Sequence, residues 1–316
     1  MKMTRKRILW CVATLAVAGI GMGAATRNDP FADIEVRVLD DIGKPVEDVA
    51  VTVCFEFFNQ SANAEVKGIT DESGSHSVHH RAQNGRVFVS LEKAGHYPTK
   101  GYVQVRDFPD KAEEYEKAFA RDRWSEQPAM AELVLKRILN PKQLELHYCL
   151  SRMFPVVGEP FAIDLETLEW CPPYGNGKHK DATLVYETWK NPTNRLSFLR
   201  KLTVSMPNAA DGFYSRETDP ESAFPYEYCA DTNETFRKEG VLLFDRRSGR
   251  IDTSTLPGPR KYFVFRTRTE TNSEGRVTSA HYGRLGEDAD IITGLKAAVW
   301  FNPDDNDTNL EDGWHH

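Results

Sequence analysis

The pattern Val36-x-Val38-x-Asp40-Asp41-x-Gly43-x-Pro45-Val46-x-x-Val49-x-Val51-x-Val53 constrains this chain more than any other stretch. It reads as an alternating strand, a Gly/Pro turn and a second alternating strand. Thr70-Asp71-Glu72-Ser73-Gly74 then supplies another tight turn. Alternation sends every second side chain to one face, so Val49, Val51, Val53, Phe55 and Phe57 are expected to line one side of a sheet. Gly43 and Gly74 provide backbone angles with φ > 0 that other residues reach only at a cost. Pro45 cannot donate to a ladder and belongs at a strand start or on an edge. The stretch specifies a β-sandwich and points to no chemistry.

A chain of 316 residues is long enough for two domains with ordinary cores. Its 40% hydrophobic and 28% charged residues exclude a disordered chain and a multi-span membrane protein. Residues 1–25 stand apart. Lys2, Arg5, Lys6 and Arg7 precede an uncharged run from Ile8 to Ala25 that ends in Gly21-Met22-Gly23-Ala24-Ala25. Basic start, apolar middle and small residues at the end are the layout of a secretory signal peptide; the alternative is an uncleaved N-terminal anchor. Either reading places the remaining chain outside the cytoplasm: periplasmic, secreted or membrane-anchored, with membrane contact only through that segment. Loss of the leader removes four basic charges and no acidic ones, which takes the net charge from −7 to −11. An acidic body argues against nucleic acid as a partner, because such binding needs a basic surface to displace counterions.

Beyond the leader lie Cys54, Cys149, Cys171 and Cys229. Outside the cytoplasm these permit two disulfides in three connectivities. Cys149 and Cys171 are the expected pair because they flank one short two-strand segment. The spacing lacks the paired Cys-x-x-Cys units of structural zinc.

Residues 26–33 form a polar linker, and the first domain is expected over 34–139. Within it, Asp40-Asp41-Ile42-Gly43-Lys44-Pro45-Val46-Glu47-Asp48-Val49-Ala50-Val51, Thr70-Asp71-Glu72-Ser73-Gly74, Gly85-Arg86-Val87-Phe88-Val89-Ser90 and Lys93-Ala94-Gly95-His96-Tyr97 stand out. Over residues 34–106 this resembles the carboxypeptidase regulatory-like domain, an Ig/transthyretin-like β-sandwich of bacterial exported proteins. His96 departs from the family's turn by standing before the tyrosine. The resemblance implies a fold used for stability, binding or spacing, and no catalysis. Asp110 to Ala120 changes period, with Ala112, Tyr115 and Phe119 at helical spacing, and predicts a short inserted helix. A strand over Ala131–Leu139 completes the sandwich, and Asn140-Pro141 marks a boundary.

Residues 140–316 read as a second β-rich domain with long loops. Strands are expected at Thr183–Trp189, Leu196–Met206, Val241–Phe244, Lys261–Thr269, Arg276–Arg284 and Leu295–Phe301, with a hairpin turn at Glu274-Gly275. Phe161–Leu165, Glu169–Lys178, Ser279–Gly283 and Phe301–Glu311 resemble an uncharacterised β-rich domain of exported bacterial proteins, a resemblance that implies no activity.

Four stretches invite chemistry. His76, His79 and His80 lie on one strand, where His76 and His80 share a face and His79 points away, so a polar strand is favoured over a metal site. Gly175-Asn176-Gly177-Lys178 lacks phosphate-loop spacing and a following helix. Trp170, Tyr174, Lys178 and His179 group aromatic and polar side chains on that loop, which suits a carbohydrate or peptide contact, with core packing of Trp170 and Tyr174 the stronger expectation. Asp304, Asp305 and Asp307 offer oxygen ligands to calcium, but Asx turns explain them without an ion. No hydrolase, kinase or dinucleotide signature is present, and no cofactor is implied.

The expected function is that of an exported, non-enzymatic binding, adhesion or spacer protein of the bacterial cell envelope, with a glycan or an envelope protein as partner. The rival reading is a hydrolase of envelope or extracellular polymer with its site in 140–316, supported by the long polar stretch from Asp211 to Glu239. A calcium-dependent adhesin is a third.

Overall fold

A computed structural model describes residues 29–55, 64–82, 86–105, 117–118, 120–194, 196–219, 221–247, 261–286, 289, 291–292 and 294–313. The leader, Phe57 and most of the expected helix lie outside these residues; Lys117, Ala118, Ala120 and Arg121 have helical backbone.

The fold is mainly β. Its first part stacks a three-stranded sheet on a four-stranded one. In the former, β1 (Phe31–Leu39) is central, antiparallel to β4 (Ser75–Arg81) and parallel to β7 (Ala129–Val134). The latter runs β3 (Ala64–Ile69), β2 (Ala50–Phe55), β5 (Arg86–Glu92), β6 (Thr99–Gln104). Alternation does what the sequence predicts: Ile34, Val36 and Val38 of β1 face Val51, Val53 and Phe55 of β2 in one buried cluster. The turns follow suit, with φ of 79° at Gly43 and 72° at Gly74. A Cβ at Gly74 would lie 2.6 Å from the Val38 carbonyl oxygen, so no other residue fits. Asp40 Oδ1 accepts the N–H groups of Ile42 and Lys44, at 3.1 and 2.8 Å, which winds the first turn. β7 begins and ends before the expected Ala131–Leu139 strand does. Beyond it, residues 136–139 instead meet the second part of the chain.

That second part is a pair of five-stranded sheets. One runs β10 (Glu169–Trp170), β9 (Pro160–Asp164), β11 (Ala182–Lys190), β12 (Phe198–Ser205), β14 (Glu239–Asp245). The other runs β13 (Gly212–Glu217), β15 (Lys261–Thr271), β16 (Val277–Leu285), β17 (Leu295–Phe301), β8 (Glu145–Arg152). Phe161, Ile163, Leu184 and Leu202 of the first pack against Phe263, Phe265, Val299 and Phe301 of the second. The β15–β16 hairpin closes as expected at Gly275, whose φ is 77°. The polar stretch 211–239 is not one long loop. It opens with β13, and Phe224, Tyr226 and Ala230 are then buried over the outer face of the β15–β16 hairpin, against Tyr262, Val264, Ala280 and Tyr282.

The two parts share this last cluster. Tyr97, just before β6, is fully buried and stacks on Phe224 with ring centroids 4.9 Å apart. The Lys100 N–H donates to Glu221 O at 2.6 Å, and the Tyr228 hydroxyl to Arg137 O at 2.7 Å. Beneath lies the buried ion pair of Arg284 and Asp312, with the guanidinium 4.0 Å from the Tyr226 ring centre and 4.5 Å from that of Trp300.

Candidate functional site

The loop between β10 and β11 carries the aromatic and polar residues that the sequence singles out. Two buried carboxylates fix this loop and the β9–β10 turn beside it. Asp164 Oδ2 accepts the N–H groups of Lys178 and His179 at 2.8 and 3.1 Å, while Asp181 Oδ2 accepts that of Leu165 at 2.9 Å. Such charges survive out of water only when paired and fully hydrogen-bonded. Arg268 supplies the pairing from the opposite sheet. Its Nη2 lies 3.1 Å from Asp164 Oδ1 and 3.0 Å from Asp181 Oδ2, and its Nη1 2.5 Å from Glu166 Oε2. Arg268 reaches inward because β15 slips register there and its φ is +55°. Burial works against its charge, but hydrogen bonds to Asp181 and Glu166 outweigh that and raise its pKa above the ordinary value.

This clamp separates the expected ligand group. Trp170 is core: its ring meets Phe161 edge-on at 5.2 Å, and its indole N–H donates to Met153 O at 3.2 Å. Tyr174 faces solvent, and the Lys178 and His179 side chains are exposed. A Cβ on Gly175 would fall 2.3 Å from Trp170 O, so only glycine fits where the loop folds back on Trp170. The expected Cys149–Cys171 bridge is not formed. The Cys149 thiol donates to Leu295 O at 3.3 Å and the Cys171 thiol to His179 O at 3.1 Å. Each thiol is thus turned to a different backbone carbonyl, Cys149 on β8 and Cys171 just after β10.

The histidines also diverge. His79 Nδ1 meets Asp33 at 2.5 Å, His80 stacks on Phe55 at 4.7 Å, and His76 lies over Gly68. In the acidic run, the Lys142 ammonium contacts both Asp304 and Asp307, at 2.6 Å for the former, while Asp305 caps Ser279 and Ala280. A lysine thus sits where a calcium ion would. Among the described residues, no three His, Cys, Asp or Glu side chains converge to hold a metal. In the 211–239 stretch, burial raises the pKa of Glu227, a property that suits a general acid. Its carboxylate, however, is occupied by the Tyr214 hydroxyl and by Arg216 Nε at 3.3 Å.

What the sequence gives no sign of is a cavity of about 110 Å³ between the sheets of the second part, partly open to solvent. Its walls are apolar throughout, with Leu184, Leu202 and Met206 on one side and Phe263, Phe265 and Leu295 on the other. Leu242 and Leu285, only partly buried, lie at its margin. An apolar space of this order can take in a small apolar guest, as a void of about 150 Å³ takes in benzene.

No family model matches the chain, and no curated protein matches it. Among solved structures, a DUF3823 family protein from Parabacteroides merdae is similar with a TM-score of 0.22 and 7% sequence identity, over 87% of this chain and 97% of that one. A likeness so slight transfers no function.

Proposed function

We propose that this is an exported, non-enzymatic binding protein of the cell envelope, and that residues 140–316 hold a small apolar ligand between their two sheets. The apolar cavity carries this reading. Close packing is the rule in protein interiors, so a partly open void lined by hydrophobic side chains is a natural ligand site. The basic-apolar-small leader supports export, and the resemblance of residues 34–106 to carboxypeptidase regulatory-like domains suggests a spacer or docking role for the first sandwich, facing a glycan or an envelope protein.

Thermal unfolding of the full chain with and without small apolar compounds tests the cavity. A ligand at a hundred times its dissociation constant adds about 2.7 kcal/mol, a readily seen rise in melting temperature. Ala182→Leu, which builds methyl groups into the cavity wall, is expected to abolish that rise. An equal rise in this variant would locate binding elsewhere and refute the reading. Cell fractionation tests export: recovery of the chain in the cytoplasm alone would overturn it.

A further inference from the structure

A charged group stands one step beyond the cavity's lining. On β12, Leu202, Val204 and Met206 line it, so the inner face carries the even-numbered residues, and Arg200 is next in that row. The cross-strand register agrees. Leu202 pairs with Leu242, a wall residue, and Arg200 pairs with Phe244, which packs against the same core. Two residues along a strand span about 6.6 Å, so the guanidinium begins one step beyond the apolar wall.

Arg200 is partly buried there and has few protein partners. Its Nη1 reaches Ile291 O at 3.4 Å, the limit of a hydrogen bond, and its guanidinium carbon lies 5.1 Å from the Phe198 ring centre. Its Nε is buried and has no hydrogen-bond partner, and among the described residues no carboxylate lies within ion-pair range of it. Contrast Arg268, which holds three carboxylates. Buried N–H donors without a partner are rare in native structures and call for an explanation. An anion at this end of the cavity would supply an acceptor.

We infer that the ligand is an amphiphilic carboxylate, with its hydrocarbon part in the cavity and its carboxylate on Arg200. A planar guanidinium matches a carboxylate with two parallel N–H···O bonds, which fixes the head group as the apolar walls cannot. The volume of the cavity limits the buried part to a short chain. This inference rests on the binding reading above and adds to it the class of head group.

Calorimetric titration of the full chain with octanoate, 1-octanol and octylamine tests it. These share one hydrocarbon tail and differ in charge. Octanoate is expected to bind roughly tenfold or more tighter than 1-octanol, as a charge-assisted pair implies, with octylamine weakest. Arg200→Gln is expected to bring octanoate down to the level of 1-octanol, with unchanged circular dichroism. Equal binding of octanoate and 1-octanol, or a preference that survives in Arg200→Gln, overturns the role of Arg200 while the apolar site stands. If none of the three binds, both readings fall. Should Arg200→Gln not fold, the ranking of the three compounds on the unaltered protein decides the matter.

Discussion

The carboxylate of Glu311 accepts the hydroxyl of Tyr97 at 2.9 Å, a bond between residues 214 positions apart. The same carboxylate accepts the N–H groups of Leu139 at 2.9 Å and Asn140 at 2.6 Å. Glu311 is 1% exposed and Tyr97 is fully buried, so removal of the carboxylate strands the Tyr97 hydroxyl away from water and frees the N–H groups of the exposed Leu139 and Asn140. Glu311→Ala is expected to cost about 3 kcal/mol, and Tyr97→Phe about 1 kcal/mol. Urea unfolding of the two variants measures this. A loss in Glu311→Ala no larger than that in Tyr97→Phe would show that the backbone contacts contribute nothing.

Arg268 is the corresponding element of the β10–β11 loop. Its replacement by Ala leaves Asp164 and Asp181, both nearly inaccessible, without a counter-charge. Breaking a buried pair in this way costs about 3–5 kcal/mol. Lys keeps the charge but not the fork, so Arg268→Lys is expected to lose a substantial part of that stability. Denaturation midpoints test both. Hydrogen exchange adds a local readout: the Lys178 and His179 amides, held by Asp164, should lose protection first.

High pH should unfold the protein. Burial raises the pKa of Tyr97, Tyr214, Tyr228 and Tyr262 above their ordinary value of 10.0. A group whose folded pKa is raised contributes stability that is fully present below its unfolded pKa and is lost as pH rises beyond it. Melting temperature is therefore expected to hold steady toward pH 10 as far as these tyrosines govern it, and to fall above. In a spectrophotometric titration these four should ionise together with unfolding. Four independent, ordinary titrations in a folded protein would contradict the burial described.

Thiol accessibility should follow the sheets. Burial raises the pKa of Cys149 and Cys171, and each thiol is engaged by a carbonyl. Native alkylation is expected to label the exposed Cys229 before either, and unfolding to release both. A Cys149–Cys171 peptide in a digest of exported protein would overturn this assignment.

The sequence makes some of this legible and hides the rest for physical reasons. Val36, Val38, Val51 and Val53 reveal their sheets because one face is buried and the other is not. Leu295–Phe301 is readable as a strand because it is apolar almost throughout and is covered on both faces. β8 escapes notice because Leu146, Tyr148 and Leu150 are its exposed residues, so its apolar positions do not mark the core. Arg268 sits in the polar run Thr267-Arg268-Thr269-Glu270, which looks solvated until a local slip in register turns it inward. Arg200 is one of two adjacent cations, and it faces in because it continues the row of Leu202, Val204 and Met206, whose inward direction only the fold reveals. A cavity has no sequence signature, since its walls are ordinary core residues that fail to meet.

The Glu311 junction also has a mechanical meaning. The Lys142 N–H donates to Glu311 O and the Gly313 N–H to Lys142 O, so residues 311–313 run parallel to the segment around Lys142. Tension drawing residue 313 away from residue 139 loads those bonds side by side, in shear, and they must rupture together rather than peel one after another. The last strand of the second sandwich is thereby shielded from a pull at the C-terminal end by a clasp on the stretch that joins the two sandwiches.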